Sequence, residues 1–294
     1  MNINVVSGYA HLAQRHLVRS VKATLRFKVE LQGKNLLNHL VDTSDCSLRI
    51  DERAGWTRFN ILDCPGMKNP FTNLQRLAET WMGETETRRS DTFPVDLMLP
   101  SDLQEHPDIL EFALDNIFLT PASIYLGQVP RLTSLTLWWS PKNDHVRGSQ
   151  MFHYDHRDTK QVKIFINLME INENSGPLCF LPADVSSRFC SKIGYNQEKN
   201  EDAVIYSACS SDALVKNTGA PGTVTMVDTA RCLHYGSRQN TNDRLILMIS
   251  YVRPTCVRVK RKCSRTLDPL RDQLAWKLYA NDPVRYYALT VKPR

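Results

Sequence analysis

The hexapeptide HYDHRD at residues 153–158 contains the pattern His-x-Asp twice, as His153-Tyr154-Asp155 and His156-Arg157-Asp158. Residues two apart on an extended strand point to the same side, so each pair sets an imidazole beside a carboxylate. Such a pair supplies two ligands of a 2-His-1-carboxylate facial set, which leaves three adjacent positions of an iron(II) ion open. The pattern alone is weak, because eight His and 20 Asp in 294 residues give about 0.5 such pairs by chance. A strand continuing from SQMF would put Met151, His153 and Asp155 on one face.

A third ligand has to come from a distant part of the chain. Beyond residue 156 there is one histidine, His234, in GTVTMVDTARCLHYGSRQNTNDRLILMISYV, between two β-rich runs. Taken alone, a histidine there can equally be a satisfied core or turn residue. Ten residues later Arg244 opens an apolar run in which alternation places Arg244, Ile246, Met248 and Ser250 on one face. On a pocket wall its guanidinium can grip a dicarboxylate through two parallel hydrogen bonds. Elsewhere it would snorkel at the strand edge or pair with a buried carboxylate. Arg238, four residues after His234, is the rival cation.

These groups need elements to hold them. LTSLTLWW (132–139), QVKIFINL (161–168), GTVTMV (222–227) and RLILMISYV (244–252) are β-rich and separated by turn residues, which predicts a sandwich or barrel. FKVELQG (27–33) reads as a further strand closed by Gly33. Helices are predicted over 72–83, with Leu74, Leu77, Ala78 and Trp81 on one face and Gly83 as the stop, and over 106–118, with Pro107 in the first turn. A last helix is predicted over 268–280, with Asp268 as N-cap and Pro269 as the first helical residue. The organisation is a helical and mixed part (1–130), a β core (131–253) and a basic helical extension (254–294), taken as one domain.

Hydrophobic residues make up 42 %, enough for a sizeable core. No uninterrupted apolar run approaches 18 residues, so no membrane span is expected. The N-terminal 20 residues lack a continuous apolar segment and read as mature protein. The eight cysteines show no C-x-x-C spacing and read as reduced core residues, which suggests a cytoplasmic protein. Cys232, near His234, reads as a structural thiol. The net charge of +6 is uneven: Arg253 to Arg294 holds eleven Lys/Arg against three Asp/Glu, or +8, leaving −2 for the rest. Such a tail is either a solvated surface or a phosphate, nucleic-acid or lipid site. With no glycine-rich phosphate loop and no aromatic-basic RNA-binding pattern, no nucleic-acid partner is expected. Trp138 and Trp139 read as core and rim, and His145 and Arg147 as loop polar groups.

FHYDHRDTKQVKIFINLMEINENSGPLCFLP and GTVTMVDTARCLHYGSRQNTNDRLIL resemble the core of the phytanoyl-CoA dioxygenase family of non-haem iron, 2-oxoglutarate-dependent oxygenases, over about residues 130–253. The resemblance implies a double-stranded β-helix, a jelly-roll-like barrel of the cupin type with helices outside. It implies iron(II) held by His153, Asp155 and His234, and 2-oxoglutarate held by Arg244. Phe165 falls where relatives carry an aromatic near the co-substrate, and Gln150, just upstream of the iron pair, is placed within reach of the same pocket. The family spacing selects the first His-x-Asp and leaves His156 and Asp158 as a solvated loop or a substrate contact. The implied activity couples O2 and 2-oxoglutarate to oxidation of a small organic metabolite, with release of succinate and CO2. Asp155 argues against halogenation, which needs that position vacant. A non-catalytic ligand sensor or anion-binding protein on the same fold is the alternative. Where relatives follow GPL-x-F-x-P with Gly-Ser-His, this chain has Ala183-Asp184-Val185.

Overall fold

The computed structural model describes residues 3–88, 93–193, 201–256 and 264–292. The strands are β1 (Trp56–Asn60), β2 (Val95–Asp96), β3 (Arg131–Ser140), β4 (Gln161–Asn167), β5 (Cys179–Phe180), β6 (Val215–Lys216), β7 (Thr223–Asp228), β8 (His234–Tyr235) and β9 (Arg244–Val252). The helices are α1 (Ile3–Thr43), α2 (Lys68–Gly83), α3 (Thr85–Arg88), α4 (Pro100–Glu105), α5 (Asp108–Ala113), α6 (Asn116–Leu126), α7 (Ala183–Ile193), α8 (Asp202–Ala208), α9 (Arg271–Tyr279) and α10 (Pro283–Thr290).

A six-stranded antiparallel sheet in the order β1-β7-β4-β9-β3-β2 faces a three-stranded sheet in the order β6-β5-β8. Alternation along the central strands sorts their side chains between two cores. Val162, Ile164 and Ile166 of β4 and Leu245, Leu247, Ile249 and Tyr251 of β9 join the large cluster that also takes Phe71, Leu74, Phe118, Leu274 and Leu289 from the flanking helices. Phe165 of β4 and Ile246 and Met248 of β9 point the other way, into a smaller cluster with Leu178 and Phe180 under the three-stranded sheet. The four β-rich runs thus form strands, with the inward face of β9 as expected. Because β9 is buried along its whole length, both of its faces are apolar except at Arg244, which opens it, and at Ser250 near its end.

The edges depart from expectation. Residues 27–33 are helical, inside α1. Val29, Gly33, Leu36, Leu37 and Leu40 share one face against the body, with helical spacing. Gly33 does not close a strand. It permits contact, since a Cβ there would lie 3.0 Å from Gln128 Oε1 and from Tyr287 Oη. α2 forms as expected, burying Leu74, Ala78 and Trp81. The single helix expected over 106–118 breaks at Leu114, because the Asp115 carboxylate accepts from the Ile117 N–H and starts α6. The stretch Asp108–Leu126 is long and apolar enough to cross a membrane, with a mean hydropathy of 1.3, but 72 % of it is buried inside the protein. α9 starts at Arg271 rather than near Asp268, whose carboxylate instead accepts from Arg271 and from the Ser264 N–H. α7, α8 and α10 were not anticipated.

The basic extension is partly interior. Arg271 is buried and donates to the Leu132 and Leu289 carbonyls, and Arg285 pairs with Asp282 and reaches Asn116. These cations lock α9 and α10 to the body, which a solvated surface would not do. Residues 257–263, with four of the tail's basic side chains, lie outside the described residues.

Candidate metal centre

His153 and His234 meet through their own backbones. The His153 N–H donates to the His234 carbonyl at 2.9 Å, and the His234 N–H donates back at 3.0 Å. The run before Asp155 is therefore an isolated bridge and not the regular strand expected from SQMF. Two residues on, the Asp155 N–H donates to the Thr229 carbonyl at 2.9 Å. Chain reversal between β7 and β8 thus fixes three side chains from two distant segments, and their ligand atoms all lie within 4.8 Å of one another.

The imidazoles are oriented for ligation. His153 Nδ1 lies 2.8 Å from the Met151 carbonyl and His234 Nδ1 2.9 Å from the Cys232 carbonyl. A carbonyl only accepts, so each Nδ1 carries a proton and each Nε2 is left facing the pocket. Burial, with His153 beside it, holds the His234 pKa down to about 3, so the ring stays neutral. Burial pushes the Asp155 carboxyl upward, but the Lys163 ammonium, 2.6 Å away, pulls it below the ordinary carboxylate range. Gln161 Nε2 braces the same carboxylate at 2.9 Å while also donating to Thr229 Oγ1 at 2.7 Å. Two imidazole nitrogens and one ionised carboxylate form the donor set that suits a divalent transition metal with open positions.

The set lines a cavity of about 370 Å³ whose wall also holds Trp138, Lys163, Phe165 and Arg244. Arg244 lies at the start of β9, 3 % exposed, opposite Ser140 in β3. Its Nη2 donates to Ser140 Oγ at 3.3 Å, its Nε has no acceptor, and no carboxylate among the described residues pairs with it. Burial lowers its pKa to about 10, so it keeps its charge at neutral pH. Arg238, in contrast, is taken. It grips Asp202 of α8 at 2.6 and 2.8 Å and stacks 3.5 Å above the Tyr235 ring.

Phe165 faces the cavity between Lys163 and the Arg244 end, opposite Met248 in β9 and Thr225 in β7. Gln150 is not on the cavity wall. Its amide donates to Asn143 Oδ1 and the Ser237 carbonyl and accepts from the Arg147 N–H, so it braces the loop behind the pocket. The second His-x-Asp does not join the first. Asp158 is not solvated: its side chain is 5 % exposed and is held by Arg253. His156 is exposed. Trp138 lines the cavity, while the Trp139 indole donates to Asp243 at 3.1 Å. Cys232 is a buried thiol whose pKa is raised by burial. Lys163 is the site residue that sequence reasoning missed. Its signal was a charged residue on the inward parity of β4, in QVKIFIN.

No family model matches the chain, and no curated protein matches it. Solved structures do. EctD from S. alaskensis with bound Fe is 15 % identical, with 77 % of this chain and 87 % of that one covered and a TM-score of 0.50. AviO1 from Streptomyces viridochromogenes Tue57 is 16 % identical, with 71 % and 98 % covered and a TM-score of 0.50. EctD with 2-oxoglutarate and 5-hydroxyectoine is 16 % identical, with 72 % and 78 % covered and a TM-score of 0.48. At the TM-scores of 0.50 the chain shares the fold of EctD and AviO1, and on that fold it carries a His-Asp-His set with a buried arginine in the same cavity.

Proposed function

We propose that the chain is an iron(II)/2-oxoglutarate-dependent oxygenase that hydroxylates or otherwise oxidises a small organic metabolite, releasing succinate and CO2. The observation that carries this reading is the buried guanidinium of Arg244, without a carboxylate partner among the described residues, in the cavity that holds His153, Asp155 and His234. A buried cation of this kind costs stability unless an anion arrives to meet it. The distal carboxylate of 2-oxoglutarate meets that need, while its keto-acid end is suited to the open positions beside the three ligands. Iron with 2-oxoglutarate supplies the oxidising power that the side chains lack.

The protein's own part is placement. The carbonyls of Met151 and Cys232 fix both imidazole tautomers, Gln161 holds the Asp155 carboxylate, and Arg244 sets the orientation of the co-substrate. Phe165, Leu178 and Trp138 form the apolar wall that keeps bulk water from the reacting groups. The motif spacing supports placement with the phytanoyl-CoA dioxygenase family. The two facing sheets support a double-stranded β-helix within one oxygenase domain spanning the chain, and free thiols at Cys179 and Cys232 support a cytoplasmic setting.

Anaerobic addition of iron(II) and then 2-oxoglutarate tests the reading. A metal-to-ligand absorption band should appear, and air should then yield succinate. A band without succinate across a broad metabolite screen would favour the ligand-sensing alternative. No band and no iron binding would end the oxygenase reading.

A further inference from the structure

Among charged side chains the cavity wall carries Asp155, Lys163 and Arg244, and the reading above gives Lys163 no task toward substrate beyond holding Asp155 ionised. Lys163 sits on the pocket face of β4, its side chain 15 % exposed, with its ammonium 2.6 Å from Asp155 Oδ2. Its neighbours on that face are otherwise engaged. Gln161 is bonded to Asp155 and Thr229, and Asn167 to Asn217. The position is opposite Ser250 in β9 and Val227 in β7, where an apolar or amide residue would fit without the desolvation cost of an ammonium. Asp155 already has the Gln161 amide to orient it, so a lysine is not needed for that.

Charge balance indicates what Lys163 is for. Iron(II), dianionic 2-oxoglutarate, Asp155, Arg244 and Lys163 together leave one positive charge without an anion. In a recessed cavity that charge is not screened as it would be on the surface. Strand register sets the backbones of the two residues apart. Lys163 pairs with Ser250, six residues along β9 from Arg244, or on the order of 20 Å of strand. The distal carboxylate of the co-substrate belongs with Arg244, and its keto-acid carboxylate has its charge met by the metal. From this we infer that Lys163 selects a prime substrate bearing a carboxylate, which pairs with its ammonium beside the metal centre. The inference rests on the oxygenase reading and narrows its substrate class to organic acids.

The test uses the anaerobic iron(II)·2-oxoglutarate protein and matched pairs of carboxylic acids and their primary amides, from propionate and propionamide to phenylacetate and phenylacetamide. In the wild type, acids should shift the absorption band at concentrations about tenfold or more below those of their amides. Lys163→Met, read at saturating iron(II) because losing this partner of Asp155 weakens the metal site, should erase that preference. Lys163→Arg should retain part of it, since charge is kept and shape is not. The inference is overturned if amides match acids, if no acid shifts the band, or if Lys163→Met keeps the preference. An acid that bleaches the band merely displaces the co-substrate and also counts against it. A tenfold loss of 2-oxoglutarate affinity in Lys163→Met would make Lys163 a co-substrate anchor instead. The band of the wild type is read before any acid is added, so a failure of the oxygenase reading is seen separately.

Discussion

The two His-x-Asp pairs at 153–155 and 156–158 share spacing, composition and neighbourhood, yet the fold uses them in opposite ways. His153 and Asp155 face the cavity, because β8 returns to bridge His153 and the Thr229 carbonyl takes the Asp155 N–H. Asp158 turns to the other side and is claimed by Arg253, which follows β9 and donates from Nε at 2.8 Å. Its companion His156 is left exposed. The difference lies in which distant segment comes back to meet each pair. One is met by a histidine, giving a site with lone pairs to spare. The other is met by a guanidinium, giving a closed ion pair.

Removing a ligand from the first pair should do the most damage. His153→Ala and His234→Ala should each lower iron(II) affinity by more than about 100-fold, since losing even an outer partner costs roughly 10–100-fold. Circular dichroism should stay native, because the mutual backbone hydrogen bonds remain. Wild-type iron binding in either variant would remove it from the centre. Arg244→Ala should leave iron affinity in place and weaken 2-oxoglutarate by roughly ten- to a hundredfold, read from the absorption band, with lysine restoring only part. If Arg238→Ala has this effect and Arg244→Ala does not, the co-substrate site lies in the loop after β8. Gln161→Leu should cost about tenfold in iron affinity, as an outer partner of Asp155.

The second pair should show the reverse pattern. Asp158→Ala should leave iron affinity unchanged and cost about 0.5–1.5 kcal/mol in urea unfolding, because it removes the pair with Arg253, which keeps its bond to Thr159. Loss of iron with unchanged stability would exchange the roles of the two pairs. A smaller effect concerns acid. With its folded pKa at about 3, His234 binds fewer protons when folded than when unfolded between that value and the ordinary histidine range. Stability of the metal-free protein should therefore fall on acidification, by up to about 2 kcal/mol from pH 6.5 to 5, and His234→Ala should flatten the slope.

What could be read from the sequence follows the same division. Alternation in β3, β4, β7 and β9 is local, and it carried the β core and the inward face of Arg244. The iron pair was chosen by a family resemblance and not by spacing, which is identical in both pairs. Long-range pairings left no local mark. Nothing near Asp158 announces Arg253, and nothing near residues 27–33 announces that Gly33 must clear Gln128 and Tyr287. Lys163 was overlooked because a lysine in a strand pattern ordinarily marks the solvent side, and here both sides of β4 are covered.

The burial of β9 on both faces bears on how insertions and deletions would be tolerated here. Surface loops usually accept a residue more or less, and the segment 236–243 ahead of β9 looks like such a loop by composition. It holds Ser237 and Gln239 at positive φ, and Asn240 ties it to the Pro141 and Asn242 carbonyls. Were β9 to slide by one residue to absorb an insertion, every side chain on it would change face. Leucine would replace isoleucine with little protest on either side, but Arg244 would be driven into a core of hydrocarbon. A slide of two would keep the faces but carry Arg244 about 7 Å from Ser140, so lineages of this protein should hold the length of that segment constant even though no residue of the metal set lies in it.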